Sequence, residues 1–218
     1  MSRMKHYTHV GSSVQSDKSR NPITIQIYQL SNQPNSLPMN HTIVNPILKD
    51  EVTFTQRATQ TDGRITTLYV KLMPGGGPPM HRHRGFEETF IVLKGELMIN
   101  LRSSTLRLHA GDEFTVKKNQ AHRFSNTSDQ PVEFSTVIRP GSTGFENALC
   151  ILYGLARDQR TRPDGTPSSL IELAVIAKMS DMSLTGMAML MAPLMSLLAL
   201  IGRLRRVDEQ LINAYCHG

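Results

Sequence analysis

Between about Val52 and Arg139 the chain alternates short runs of β-branched and aromatic residues with clusters of turn-forming ones, and few architectures accept such a rhythm. The runs are VTFTQRAT, ITTLYVKLM, ETFIVLKGELMINL, LRLHAGDEFTV and VEFSTVIR. Their composition and length are those of strands. The breaks TDG, PGGGPP, KG, AGD, KKNQ and TSDQP supply positive φ, fixed φ or local side-chain hydrogen bonds where the chain must reverse. No helix-length pattern separates these strands, which excludes βαβ units and leaves an antiparallel sandwich or barrel. In 218 residues one such barrel with additions is the natural organisation.

Beyond Pro140 the periodicity changes. In GFENALCILYGLARDQR, Phe145, Leu149, Leu152, Tyr153 and Ala156 fall on one face of a helix. TRPDGTP breaks it, and PSSLIELAVIAKM restarts with Pro167, Ser168 and Ser169 at its head. Residues 182–202, MSLTGMAMLMAPLMSLLALIG, carry no charge and precede Arg203, Arg205 and Arg206. That length and those flanks fit a membrane-spanning or interfacial helix with its positive flank on the cytoplasmic side. Pro193 and the many small residues favour instead two helices docked on the barrel or on a partner copy. The expected division is a poorly ordered extension over 1–40, a β-barrel over 41–140 and a helical region over 141–218. Within the first, rich in Ser, Gln, Asn and Pro, only ITIQIYQL resembles a strand, and the change in composition near MNHTIVNPILKDEVTF makes Met39 a candidate start.

The remaining composition mostly excludes. The net charge of +6 is concentrated in no segment, so nucleic acid is not an expected partner. The opening residues lack the apolar core of a secretory signal, and a cytoplasmic location is expected, with membrane association through 182–202 as the alternative. Cys150 and Cys216 are far apart and outside any CxxC spacing, so neither a disulfide framework nor a thiolate zinc site is supported. Two reduced, partly buried thiols are the expectation.

The chemistry is concentrated in PGGGPPMHRHRGFEETFIVLKGEL. His81 and His83 are two apart, so on a strand both imidazoles face one side, here the interior. Glu88 follows a short corner at the start of the next strand. In AGDEFTVKKNQAHRFSN a turn, a strand and a second turn bring His122 to the head of another strand, to complete the set. Three imidazoles and one carboxylate suit a first-row divalent ion and leave positions open for water or substrate.

These residues resemble the cupin superfamily. Its first motif is G, five residues, HxH, three or four residues, E, six residues, G, and Gly75, His81, His83, Glu88 and Gly95 satisfy every position. The second motif is G, five residues, P, one residue, G, two residues, H, three residues, N. It matches at Gly111, His122 and Asn126 and departs at Lys117 and Asn119, where proline and glycine are usual. Asn tolerates the left-handed conformation, so these departures touch a turn and not a ligand. The resemblance implies a jelly-roll barrel related to RmlC-like proteins, frequent homodimers, and iron, manganese, nickel, copper or zinc held by His81, His83, Glu88 and His122. It covers roughly a hundred residues and does not choose a reaction.

Phe90 and Val92 after Glu88, and Phe124 after His122, make the surroundings of the site apolar and suited to a small organic ligand. Glu88 is the proton-handling candidate, while Glu87 alternates to the outer face as a solvated charge. Arg82, Arg84 and Arg123 could orient an anion but are by default surface salt partners. His109 reads as a rim residue, and His6, His9, His41 and His217 as tail residues. A quercetinase-like dioxygenase using iron or manganese, acting on a small organic substrate, is the leading expectation. A non-catalytic binding or sensing module and a sugar-phosphate isomerase or epimerase are its rivals.

Overall fold

The computed structural model describes residues 41–184 and 191–216. The ITIQIYQL run, His6, His9, His217 and the middle of the uncharged segment lie outside them. Eleven strands are described: β1 (Thr42–Asn45), β2 (Asp50–Gln56), β3 (Thr66–Leu72), β4 (His81–His83), β5 (Glu87–Lys94), β6 (Glu96–Leu101), β7 (Thr105–His109), β8 (Glu113–Val116), β9 (His122–Ser125), β10 (Val132–Arg139) and β11 (Met182–Leu184). Four helices follow or flank the last strand: α1 (Thr143–Arg157), α2 (Leu170–Met179), α3 (Ala192–Leu204) and α4 (Val207–Tyr215).

The strands form two sheets, one of six in the order β1-β2-β3-β10-β5-β8 and one of five in the order β11-β4-β9-β6-β7, with every pairing antiparallel. This is the antiparallel two-sheet architecture that the strand rhythm led us to expect, and it is consistent with the jelly roll that the cupin resemblance implies. Leu72, Phe90, Val92, Leu97, Ile99, Phe134 and Ile138 are fully buried within one core cluster. Each such side chain contributes about 1.5–3 kcal/mol by leaving water. Two turns show how the sequence sets the approach to the site. Asn119 adopts φ 64°, the left-handed state inferred for it. Gly77 has φ 134°, and a Cβ there would lie 2.3 Å from the Phe124 carbonyl oxygen, so only glycine lets the PGGGPP segment pass against β9 on its way into β4.

α1 begins where Ser142 Oγ accepts the Phe145 amide at 3.2 Å, as an N-cap should. It is apolar on two sides. Phe145, Cys150 and Tyr153 pack into the barrel core, while Ala148, Ile151 and Leu155 pack against Ile176 of α2 and Leu211 of α4. Polar ties fasten it as well. Glu146 is buried and accepts hydrogen bonds from the Ala58 amide at 2.7 Å and the Thr66 hydroxyl at 2.6 Å, with Arg57 at 3.5 Å.

The uncharged segment is not one continuous helix. Residues 182–184 form β11, paired with β4, and α3 starts only at Ala192, with Pro193 in its first turn. The break follows from proline chemistry, since a ring accepted in the first turn would disrupt a helix interior. Among the described residues no helix is long and apolar enough to cross a membrane, so the membrane-spanning alternative for 182–202 has no support. α3 nevertheless leaves Leu194, Leu197, Leu200 and Leu204 exposed.

Candidate metal centre

Strand alternation places the donors. β4 buries His81 and His83 and leaves Arg82 between them on the other face. β9 pairs with β4 so that His122 stands opposite His81, with ring centroids 4.5 Å apart. Glu88 enters from β5 in the facing sheet. One ligand atom from each of these four buried residues lies within 4.8 Å of the others. The same four residues singled out from the sequence therefore converge.

Main-chain acceptors orient two of the rings. His81 Nδ1 lies 2.8 Å from the Pro79 carbonyl and His122 Nδ1 lies 3.1 Å from the Gln120 carbonyl. Each carbonyl takes an Nδ1 hydrogen and turns Nε2 toward the centre, the outer support that ligating histidines require. Glu88 Oε2 is 2.7 Å from His122 Nε2 and 3.6 Å from His83 Nε2. The shorter contact is a charge-assisted hydrogen bond. The longer one is not a hydrogen bond, and His83 Nε2 is buried without a partner.

The electrostatics follow from burial and mutual proximity. Burial, together with His83 and His122, pushes the His81 imidazole down to about 3. Burial likewise lowers His83 despite the nearby carboxylate. Burial would raise Glu88, but His83 and the His122 hydrogen bond outweigh it and hold the carboxyl at about 2. Burial opposes a proton on His122, yet the Glu88 hydrogen bond prevails and raises it.

The donor set fits a divalent metal ion. Neutral imidazoles and a carboxylate are the chemistry of such a site, and both ring nitrogens of His83 are buried without a hydrogen-bond partner within the protein. Two aromatic rings shield it. Phe86 stacks on His83 with centroids 4.3 Å apart, and Phe145 of α1 meets the same ring edge-on at 5.6 Å. Neither residue was among the candidates from sequence. Phe86 was legible only as part of the corner between β4 and β5, and Phe145 only as a face of a helix with no stated target. Phe90 lies edge-on to His122 at 6.2 Å and packs on Phe124 and Phe134, making the inner wall apolar.

The other candidates lie elsewhere. Glu87 pairs with Lys117 at 3.0 Å at the surface, Arg123 is exposed, and Arg84 bonds Ser183 of β11. Arg82 and Arg84 line a groove of about 230 Å³ bounded by α2, α3 and β11, and none of the four central residues lines it. His109 is exposed beside Glu96, and the His41 ring lies tilted to Phe54 with centroids 6.3 Å apart at the start of the described chain.

Residues 68–138 match the family model of the cupin domain, a span that includes all four converging residues and supports the cupin superfamily. An oxalate-binding protein of Thermotoga maritima is 30% identical over 69 residues, 32% of this chain. The chain spans 57% of that relative's length. Among solved structures, that of a predicted oxalate decarboxylase from Thermotoga maritima is 23% identical with a TM-score of 0.41, covering 46% of this chain and 91% of that one. A sugar phosphate isomerase of a cupin superfamily from Silicibacter pomeroyi is 17% identical with a TM-score of 0.42, covering 48% and 73%.

Proposed function

We propose that the chain is a metal-dependent cupin enzyme of dioxygenase-like type acting on a small organic substrate, with iron or manganese held by His81, His83, Glu88 and His122. The observation that carries it is the convergence of four buried donors within 4.8 Å, one of them, His83 Nε2, lacking a hydrogen-bond partner in the protein. A bound ion would supply Lewis acidity toward a substrate oxygen. The chain's own residues do the rest. Phe86 and Phe145 keep water from His83, and Phe90 presents an apolar wall to the substrate. Glu88, which contacts His122 at 2.7 Å, is the group we propose takes a proton from an enolic substrate and returns it.

Elemental analysis of the untagged protein beside His83→Ala and His122→Ala variants tests the site. One transition metal per chain is expected, lost in both variants. Failure to retain iron, manganese, nickel, copper or zinc after reconstitution would overturn the reading. Oxygen uptake with a panel of enols, flavonols and diketones then tests the reaction.

A second reading, a non-catalytic barrel that captures a small ligand, is favoured by the description of the Thermotoga maritima relative as an oxalate-binding protein. Oxalate that raises Tm without being consumed would select it over the enzyme. The sugar-phosphate reading has less support, because Arg82 and Arg84 face a groove that the four donors do not share. The homodimer implied by the family resemblance is likewise proposed, and light scattering of the full chain tests it.

A further inference from the structure

The chain's two cysteines, far apart in sequence, meet where the end of α4 is laid on α1. Cys150 is buried on the barrel side of α1 and Cys216 is half-buried just past α4. The Cys216 thiol donates to the Asn147 carbonyl at 3.7 Å, less than one helical turn before Cys150 on α1, and packs against the same core cluster that holds Cys150. The contact is held from both sides. Tyr215 lies so close to α1 that a Cβ on Gly154 would come within 2.2 Å of its ring. Its hydroxyl donates to Asp158 Oδ2 at 3.0 Å and accepts from Arg160 at 3.0 Å. With Cys216 set against Asn147 and Tyr215 against Gly154, Cys150 lies on the stretch of α1 between those two contacts, and two thiols on elements packed in this way need little backbone movement to join.

We propose that Cys150 and Cys216 form a reversible redox pair, closed to an intramolecular disulfide by hydrogen peroxide and reopened by small dithiols. Cys150 is the attacking sulfur. The neighbouring Cys216 thiol, with the Arg57 guanidinium beside it, outweighs burial and lowers the Cys150 thiol, which favours the thiolate on this sulfur. That sulfur attacks one peroxide oxygen, the O–O bond breaks, and the departing hydroxide takes up a proton as water, leaving a sulfenic acid on Cys150. The Cys216 sulfur then attacks Cys150, the S–S bond forms, the S–O bond breaks, and a second water leaves with the Cys216 proton. Two thiols have been oxidised and one peroxide reduced to two waters. The bond ties α4 to α1, the helix whose Phe145 covers His83.

The full chain, treated with hydrogen peroxide in the presence of a metal chelator and then alkylated with iodoacetamide after unfolding, tests this directly. The expected result is joint loss of both alkylation sites, an intact mass lower by two hydrogens, and a single cross-linked peptide pair containing Cys150 and Cys216. Tm should rise by about 5–10 °C, as for closure of a long loop, and dithiothreitol should reverse every change. Cys216→Ser should leave oxidised Cys150 without the rise in Tm. Oxidation of either cysteine alone in the wild-type chain, or disulfides joining two chains, would overturn the proposal without bearing on the metal site.

Discussion

Asp50 opens β2 with 3% of its surface exposed, its Oδ2 accepting the Tyr153 hydroxyl at 2.7 Å and its Oδ1 buried without a partner. Burial outweighs that hydrogen bond and raises the carboxyl to about 6. Because the folded value lies above the unfolded one, the fold prefers the protonated acid. Its contribution is complete below the unfolded value of 3.8 and is lost as pH climbs from there through about 6, a change of about 3 kcal/mol. Asp50→Asn, which keeps an acceptor for Tyr153, should remove that part of the pH dependence. Urea midpoints at pH 4 and pH 7 in both proteins measure it, and equal slopes would refute the assignment. Glu88→Gln argues at the same scale, since it keeps an oxygen at nearly the same place and removes the charge. Metal affinity should fall at least about a hundredfold, beyond the 10–100-fold expected of an outer-shell change, as competition with a chelator would show. These four donors were legible in the sequence because strand alternation aims His81 and His83 at one face and turn residues time the arrival of Glu88 and His122. Asp50 and Glu146 were not, because a carboxylate in a sequence carries no sign of the hydroxyl or amide that a distant segment will bring to it.

At the scale of elements, α1 is the piece that joins the barrel to the helices. Its Gly154 is not a flexible point but a gap into which the Tyr215 ring fits. Gly154→Ala would gain helix propensity in isolation, yet the added methyl must displace the ring, so it should destabilise the protein by about 1–3 kcal/mol. In a Tyr215→Ala background the same change should become neutral or mildly stabilising, and additivity of the two in a denaturation series would contradict this account. The helical spacing of Phe145, Leu149, Leu152 and Tyr153 announced a buried face. It could not say that the face would close over a barrel, nor that Ala148, Ile151 and Leu155 would make a second face against α2 and α4. β11 was hidden for a related reason. Three residues at the start of an uncharged run carry no strand period of their own, and what makes them a strand is the edge of β4 beside them.

For the molecule as a whole, a chain truncated after Pro140 retains the matched cupin span but loses the cover of α1 and the pairing of β11. Such a chain should expose Phe86 and the core face contacted by Phe145, bind a hydrophobic dye, and lose the cooperative unfolding transition of the full protein. A sharp transition at an unchanged Tm would show that the barrel stands alone. The return of β11 also bears on how such a protein meets its neighbours. With β11 paired on one side and β9 on the other, the backbone of the strand that carries His81 and His83 offers less free edge to a passing chain. An unpaired edge there would be a template for intermolecular sheet growth at the very strand that lines the centre, so three residues from the far end of the sequence act as a guard against the site's own polymerisation.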